Sequence, residues 1–102
     1  MSDVKAKEIA RKNDQIRRTF TGGRVMLTSG VEADPNLDKI IDAVKKFDDF
    51  NPDNDVYGEH DFGKITINSS DYFFKIDYYD STYQFYEQDG NRVLTIMHSD
   101  EY

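Results

Sequence analysis

A change of periodicity at residues 47–63 constrains the fold of this chain more than any other feature of its sequence. Before this segment, apolar residues recur every three or four positions, as they do on one face of a helix. After it, apolar and polar residues alternate, as they do in half-buried strands. The pattern predicts an α+β domain in which two helices pack on one face of an antiparallel sheet, in the order α-β-α-β-β-β-β.

The length of 102 residues fits a single domain over residues 1–102, in which folding buries roughly 60–68% of the extended chain's surface. We expect residues 1–3 and 99–102 to be loose tails. The chain has no Cys, which excludes disulfides and thiolate metal sites and is typical of a reducing compartment. Its N-terminus lacks a signal-peptide pattern, and no stretch approaches the ~18 apolar residues of a membrane span. We therefore predict a cytoplasmic protein with no membrane partner.

Two amphipathic helices are predicted. Residues 4–20 place Ile9, Asn13, Ile16 and Phe20 on one stripe. The second helix should begin at Asp34, a good N-cap, and end near Asp49, because Pro52 disfavours continuation. Its core-facing stripe consists of Leu37, Ile40, Ile41, Val44 and Phe47.

The strands are predicted at residues 24–28, which follow a Gly-Gly turn, and then at 64–68, 72–79, 83–87 and 92–98. The face that should pack on the helices holds Ile65, Ile67, Phe74, Ile76, Tyr78, Leu94 and Ile96. The opposite face still carries Phe73, Tyr79, Tyr86, Val93 and Met97. This second face needs a cover. Either the first helix covers it or another protein does, and a homodimer through this aromatic face is one alternative.

The formal net charge of −7 is unevenly distributed. Residues 1–24 hold seven Lys or Arg against three acids, giving +4, whereas the remainder holds six against seventeen, giving −11. The acidic body disfavours direct nucleic-acid binding and favours contact with basic surfaces. Lys7, Arg11 and Arg18 form a basic ridge on the first helix, which is either a solvated face or a contact for an acidic partner or nucleic acid.

Six carboxylates and His60 crowd into residues 47–63, without any Lys or Arg. Two EF-hand registers, starting at Asp49 or Asp53, both fail because His60 or Lys64 stands where the motif needs a bidentate Glu. An irregular cation site stays open. Glu59, His60 and Asp61 could converge on a metal, but the chain offers no nucleophile elbow. The structural alternative is that His60 bonds a nearby Asp while Asn and Asp side chains satisfy the loop backbone. We predict no metal, no cofactor and no catalytic residue.

Four separated blocks of this sequence resemble those of a known family. They are residues 20–24 (FTGGR), 53–63 (DNDVYGEHDFG), 75–80 (KIDYYD) and 93–97 (VLTIM). From Asp14 to Tyr102 the chain resembles a bacterial domain-of-unknown-function family of about this length, frequent in alphaproteobacteria and on plasmids. It departs from that family in a short loop between Asp80 and Arg92, and in Val56 where Pro usually precedes Tyr57. The resemblance implies no activity and no catalytic residues, but it suggests accessory genes of mobile elements.

The leading functional prediction is a non-enzymatic, acidic protein-interaction module, an inhibitor of the anti-CRISPR or anti-restriction type. It would occupy the basic nucleic-acid-binding surface of a nuclease or CRISPR effector, as a nucleic-acid mimic. The predicted partner-binding residues are Asp48, Asp49, Asp53, Asp55, Tyr57, Glu59, Asp61 and Tyr79. The alternatives are a small metal-dependent enzyme built on residues 59–61, or a DNA-binding accessory protein using the basic first helix.

Overall fold

The computed structural model of the protein describes residues 2–82, 87 and 90–102. Its elements are α1 (Ser2–Thr19), β1 (Arg24–Leu27), α2 (Ser29–Glu32), α3 (Leu37–Lys46), β2 (Phe62–Ile67), β3 (Ser70–Tyr79) and β4 (Asn91–His98), followed by a 3₁₀ turn at Ser99–Glu101. The α+β class and the predicted order of elements are confirmed. The short helix α2 was not predicted, and the predicted strand at residues 83–87 lies outside the described residues except for Glu87.

The sheet has the order β1-β4-β3-β2 and is mixed rather than antiparallel throughout. The pairs β2–β3 and β3–β4 are antiparallel, but β1 runs parallel to β4, with Val25 opposite Leu94. The antiparallel prediction is therefore wrong for this one pair. Parallel neighbours need a long connection, and the described residues between β1 and β4 include two helices and two further strands.

Both boundaries predicted for the second helix shift inward. The N-cap is Asn36 rather than Asp34, because the Asp34 carboxylate accepts the Asn36 backbone N–H at 2.7 Å and forms a turn before the helix. The helix α3 ends at Lys46, not near Asp49, because Phe47 already has an extended backbone. The Asp42–Lys46 ion pair one turn apart is present at 3.1 Å.

The core lies between the helices and one face of the sheet. Helices contribute Ile9, Ile16, Val31, Ile40 and Val44, and the sheet contributes Ile65, Tyr72, Phe74, Ile76, Tyr78, Leu94 and Ile96. The predicted inner sheet face is thus confirmed, with Ile67 half-buried beside it. The stripe of the second helix is confirmed except for Ile41, which is half-buried and does not belong to this core cluster. Among the described residues, no helix combines the length and the apolar character needed to cross a membrane.

Because α1 packs on the inner face, it is not the cover of the outer face. On that outer face, Phe73 lies 5.2 Å from Phe62 and 5.4 Å from Tyr102, measured between ring centroids. Val93 and Met97 are buried there, whereas Tyr86 lies outside the described residues. At the chain ends, α1 begins at Ser2 and Ser99–Glu101 form a 3₁₀ turn, and the expectation of loose tails stays a prediction.

Candidate interaction surface

The segment between α3 and β2, residues 47–61, is called the acidic loop below. His60 attaches it to α1. The imidazole Nδ1 lies 3.0 Å from an Asp14 carboxylate oxygen, and the ring stacks on Phe50 with centroids 4.0 Å apart. The backbone N–H of His60 donates to Asp55, whose other carboxylate oxygen lies 3.6 Å from the imidazole Nε2. His60 holds a left-handed φ of 57°, which non-glycine residues seldom adopt, so these contacts fix an otherwise unfavourable backbone.

A buried polar network makes the second attachment. Asn13, fully buried on α1, donates through Nδ2 to the Tyr78 hydroxyl at 2.7 Å and to the Glu59 carbonyl at 2.9 Å. The Tyr78 hydroxyl donates in turn to the Glu59 carboxylate at 3.0 Å. Arg92 Nε donates to the Asn13 side-chain oxygen at 2.7 Å, and its guanidinium lies over the Tyr78 ring. The network therefore joins α1, the acidic loop, β3 and β4.

The beginning of the loop is held by Arg17. Its side chain is fully buried and its Nη1 donates to the Phe47 carbonyl at 2.5 Å and to the Val44 carbonyl at 3.3 Å. Its Nη2 donates to Asp14 at 2.7 Å. Both carbonyls lie at or just past the C-terminus of α3, where carbonyls lack the usual i+4 partner, although the Val44 carbonyl also accepts the Phe47 N–H at 3.3 Å. Arg17 thus ends α3 and sets the direction in which the loop leaves it.

Asn side chains satisfy the exposed backbone of the loop. Asn51 accepts the N–H groups of Asp53 and Asn54, and Asn54 accepts the N–H of Asn51 and donates to the Asp49 carbonyl. The structural reading of the loop, in which Asn and Asp side chains bond its backbone and His60 bonds an Asp, is confirmed.

The residues predicted to bind a partner fall into three groups. Asp48, Asp49 and Asp53 are exposed, as is Tyr57 with 81% of its surface accessible. Val56, which was not predicted, is 74% exposed beside Tyr57. The loop therefore presents three carboxylates and an apolar pair to the surroundings.

The second group is engaged within the protein. The Asp55 side chain is only 7% exposed against His60, and Glu59 accepts the Tyr78 hydroxyl. Asp61 is half-buried, and burial, followed by the nearby charge of Glu59, raises the pKa of its carboxyl above the ordinary value. Burial likewise raises the pKa of the Tyr78 phenol. The third group is Tyr79 alone, half-buried on β3, where it lines a cavity of about 210 Å³ with Asp61.

Each of residues 59–61 is bonded to another part of the protein. Glu59 bonds Tyr78, His60 bonds Asp14, and the Asp61 carbonyl accepts the Ile76 N–H. In the part of the chain that the structure describes, no group of three His, Cys, Asp or Glu side chains is placed to hold a metal ion.

The sequence reasoning missed three polar residues that position the loop, namely the half-buried Asp14 and the buried Arg17 and Arg92. A signal for Arg17 existed, because it lies four residues after Asn13 and therefore borders the apolar stripe of α1, and three residues after its ion-pair partner Asp14. No comparable local signal marks Arg92, whose partner Asn13 is 79 positions away.

Searches of curated proteins and of solved structures each give no match to this chain. A family model described as a protein of unknown function, DUF3768, matches residues 25–101. The resemblance that we drew began at Asp14, so the matched part is shorter and leaves out α1 and the block at residues 20–24. It includes the acidic loop and all four strands. With three quarters of its length covered by this match, the chain belongs to the DUF3768 family of proteins of unknown function.

Proposed function

We propose that this protein is a non-enzymatic interaction module, an anti-defence inhibitor of the anti-CRISPR or anti-restriction type. Its acidic loop occupies the basic nucleic-acid-binding surface of a nuclease or CRISPR effector. The observation that carries the proposal is that the acidic loop exposes Asp48, Asp49 and Asp53 together with the apolar pair Val56 and Tyr57.

This surface combines two features that protein interfaces use. Carboxylates steer an acidic protein onto a basic groove and compete there with phosphates. An exposed aromatic side chain supplies the central contact that loses its water on binding, and Tyr is enriched at such positions. Isolated exposed apolar residues are ordinary, so the argument depends on their lying together within the acidic loop.

The loop is also ordered before any partner arrives. Its backbone is bonded by Asn51 and Asn54, and its end is attached to α1 through His60. An ordered loop loses less conformational entropy on binding than a flexible one. By contrast, the enzyme alternative has little support, because Glu59, His60 and Asp61 bond to other parts of the protein.

A triple charge reversal tests the proposal. The variant Asp48→Lys, Asp49→Lys, Asp53→Lys is compared with a variant carrying the same charge change at the exposed residues Glu8, Glu32 and Asp100. The measurement is displacement of labelled DNA from a panel of purified CRISPR effectors and restriction nucleases, at two salt concentrations. We expect the native protein to displace DNA from at least one panel member and to do so less well at high salt.

The loop variant should lose at least about tenfold in affinity (roughly 1.4 kcal/mol), whereas the control should change by less than about threefold. Tyr57→Ala should also weaken binding while leaving the unfolding midpoint in place, because its side chain is exposed. Equal losses in the two triple variants would contradict an assignment to this loop. If no panel member releases its DNA, the anti-defence proposal is wrong.

A further inference from the structure

A groove of about 430 Å³ lies where α1 meets the end of the acidic loop. One wall is the exposed face of α1 with Lys7, Arg11 and Arg18, and the other is formed by Gly58 and His60. The volume falls within the range of about 300–1,000 Å³ that is usual for small-ligand sites. The basic ridge predicted from the sequence therefore faces a second wall rather than open solvent alone.

The cations of this groove have no partners among the described residues. Elsewhere Lys46 pairs with Asp42 and Lys75 with Asp77. In the described part of the chain, the Lys and Arg side chains without an ion pair, hydrogen bond or ring contact are Lys7, Arg11, Lys12, Arg18, Lys39 and Lys64. Four of these six belong to α1, although the protein carries an excess of acids. Like charges one helical turn apart repel each other, so binding an anion at this face would relieve that repulsion.

Asp14 is the carboxylate among the described groove residues, and its charge is already compensated. Arg17 lies 2.7 Å from one Asp14 oxygen, and His60 lies 3.0 Å from the same oxygen. The floor of the groove beside Asp14 is therefore not a strong source of negative potential. The three cations act on a ligand with little local opposition.

We propose that this groove is a binding site for a phosphate-bearing ligand of nucleotide size. Two guanidinium groups suit the oxygens of a phosphate, which they can contact through two parallel hydrogen bonds each. A phosphate monoester carries about −1.5 to −2 charges, which balances several cations better than one carboxylate does. The positions of Lys7, Arg11 and Arg18 span about 16 Å along the helix axis at 1.5 Å per residue, a length that fits a nucleotide rather than a single ion.

The remainder of the protein limits the length of the ligand. The acidic loop beside the groove carries exposed Asp48, Asp49 and Asp53, and the net charge is −7. A long polyanion that extends beyond the groove meets this negative field, whereas a nucleotide or the 5′ end of a short single strand stays within the basic part. The phosphate group is common to both sources, and the experiment separates them.

The test is a titration of isotope-labelled protein, followed through the amide NMR signals of α1, Gly58 and His60. The probes are ADP, adenosine, sodium sulfate, a 5′-phosphorylated tetrathymidylate and a tetraglutamate peptide. The site variant is Arg11→Gln with Arg18→Gln, and the matched control is Lys39→Gln with Lys64→Gln, which removes two exposed and unpaired cations elsewhere. The dispersion of the amide spectrum confirms that each variant is folded.

We expect saturable shifts with ADP, none with adenosine, and at least a fivefold weaker affinity in the site variant with less than a twofold change in the control. Tighter binding of the tetrathymidylate than of ADP assigns the site to a strand end, and the reverse order assigns it to free nucleotides. Several outcomes overturn the proposal: ADP shifts that are equal in both variants, shifts that sulfate reproduces, the absence of saturation, or tighter binding of the tetraglutamate peptide.

Discussion

Arg17 is the single residue on which the junction between α3 and the acidic loop depends most. Its guanidinium is buried. In place of water it contacts carbonyls at the end of α3, the Asp14 carboxylate, and the rings of Phe50 and Phe74. Removing one partner of a buried ion pair typically costs 3–5 kcal/mol, because the remaining groups stay desolvated and unpaired. We predict that Arg17→Met lowers the free energy of unfolding by about 3 kcal/mol.

The control is the adjacent Arg18→Met, which changes an exposed side chain and should shift stability by less than about 0.5 kcal/mol. Urea denaturation of both variants measures the difference. Equal losses in the two variants would mean that the carbonyl contacts of Arg17 contribute nothing beyond what an exposed arginine contributes.

At the scale of elements, the C-terminal 3₁₀ turn attaches α2 to the sheet through Glu101. The carboxylate accepts the Thr28 hydroxyl at 2.6 Å, the His98 N–H at 2.9 Å and the Gly30 N–H at 3.0 Å. The Thr28 hydrogen bond, followed by the His98 N–H, lowers the pKa of the Glu101 carboxyl below its ordinary value of 4.5. Because the charged form is favoured in the folded state, this contribution to stability is present above pH 4.5 and is lost as the pH falls through the lowered pKa.

We therefore predict that Glu101→Gln flattens the acid side of the stability profile, measured by urea denaturation from about pH 6 to about pH 3. The Gly30 amide should also exchange faster with solvent in this variant at neutral pH. Asp100→Asn is the matched control, since Asp100 is exposed in the same turn. If both variants keep the native slope below pH 4.5, the contacts of Glu101 do not contribute to the acid dependence.

Asp34→Asn is expected to act in the same direction, because the Asn36 N–H, followed by the Tyr72 hydroxyl, lowers the pKa of Asp34.

For the molecule as a whole, the sequence predicted those features that local periodicity encodes. Ile9 and Ile16 on α1, and Ile76 and Leu94 on the sheet, were identified as core because burial recurs every 3.6 or every two residues. The parallel pairing of β1 with β4 could not be predicted in this way, because the residue pattern of a strand does not indicate which strand pairs with it. The C-terminal boundary of α3 shifted for a similar reason, since the helix ends where Arg17 from another helix bonds carbonyls of Val44 and Phe47.

In the candidate site too, local features were predicted and long-range contacts were not. The sequence located the acidic loop correctly, but it could not separate the exposed Asp53 from the engaged Asp55 and Glu59. The Glu59 carboxylate is engaged by Tyr78, 19 positions away, and His60, which engages Asp55, is itself bonded to Asp14, 46 positions away. Contacts at such separations arise from tertiary packing, and no periodicity records them.

The network around Asn13 joins four separate elements, so its removal should affect the entire fold. In Asn13→Ala, Arg92 Nε, the Tyr78 hydroxyl and the Glu59 carbonyl each lose a partner, the first two at buried positions and the third at a partly buried one. A buried polar group left unsatisfied costs about 1–3 kcal/mol. We predict a loss of about 3 kcal/mol in the free energy of unfolding, and a melting temperature lower by roughly 12 °C or more.

Three further variants identify the cause. Glu8→Ala, at an exposed position on the same helix, should leave the melting temperature nearly unchanged. Tyr78→Phe should cost less than Asn13→Ala, because it removes one hydroxyl from the network, and the double variant should lose less than the sum of the two single losses. Calorimetry on the four proteins measures these terms. Strict additivity would show that Asn13 and Tyr78 act separately rather than as one network.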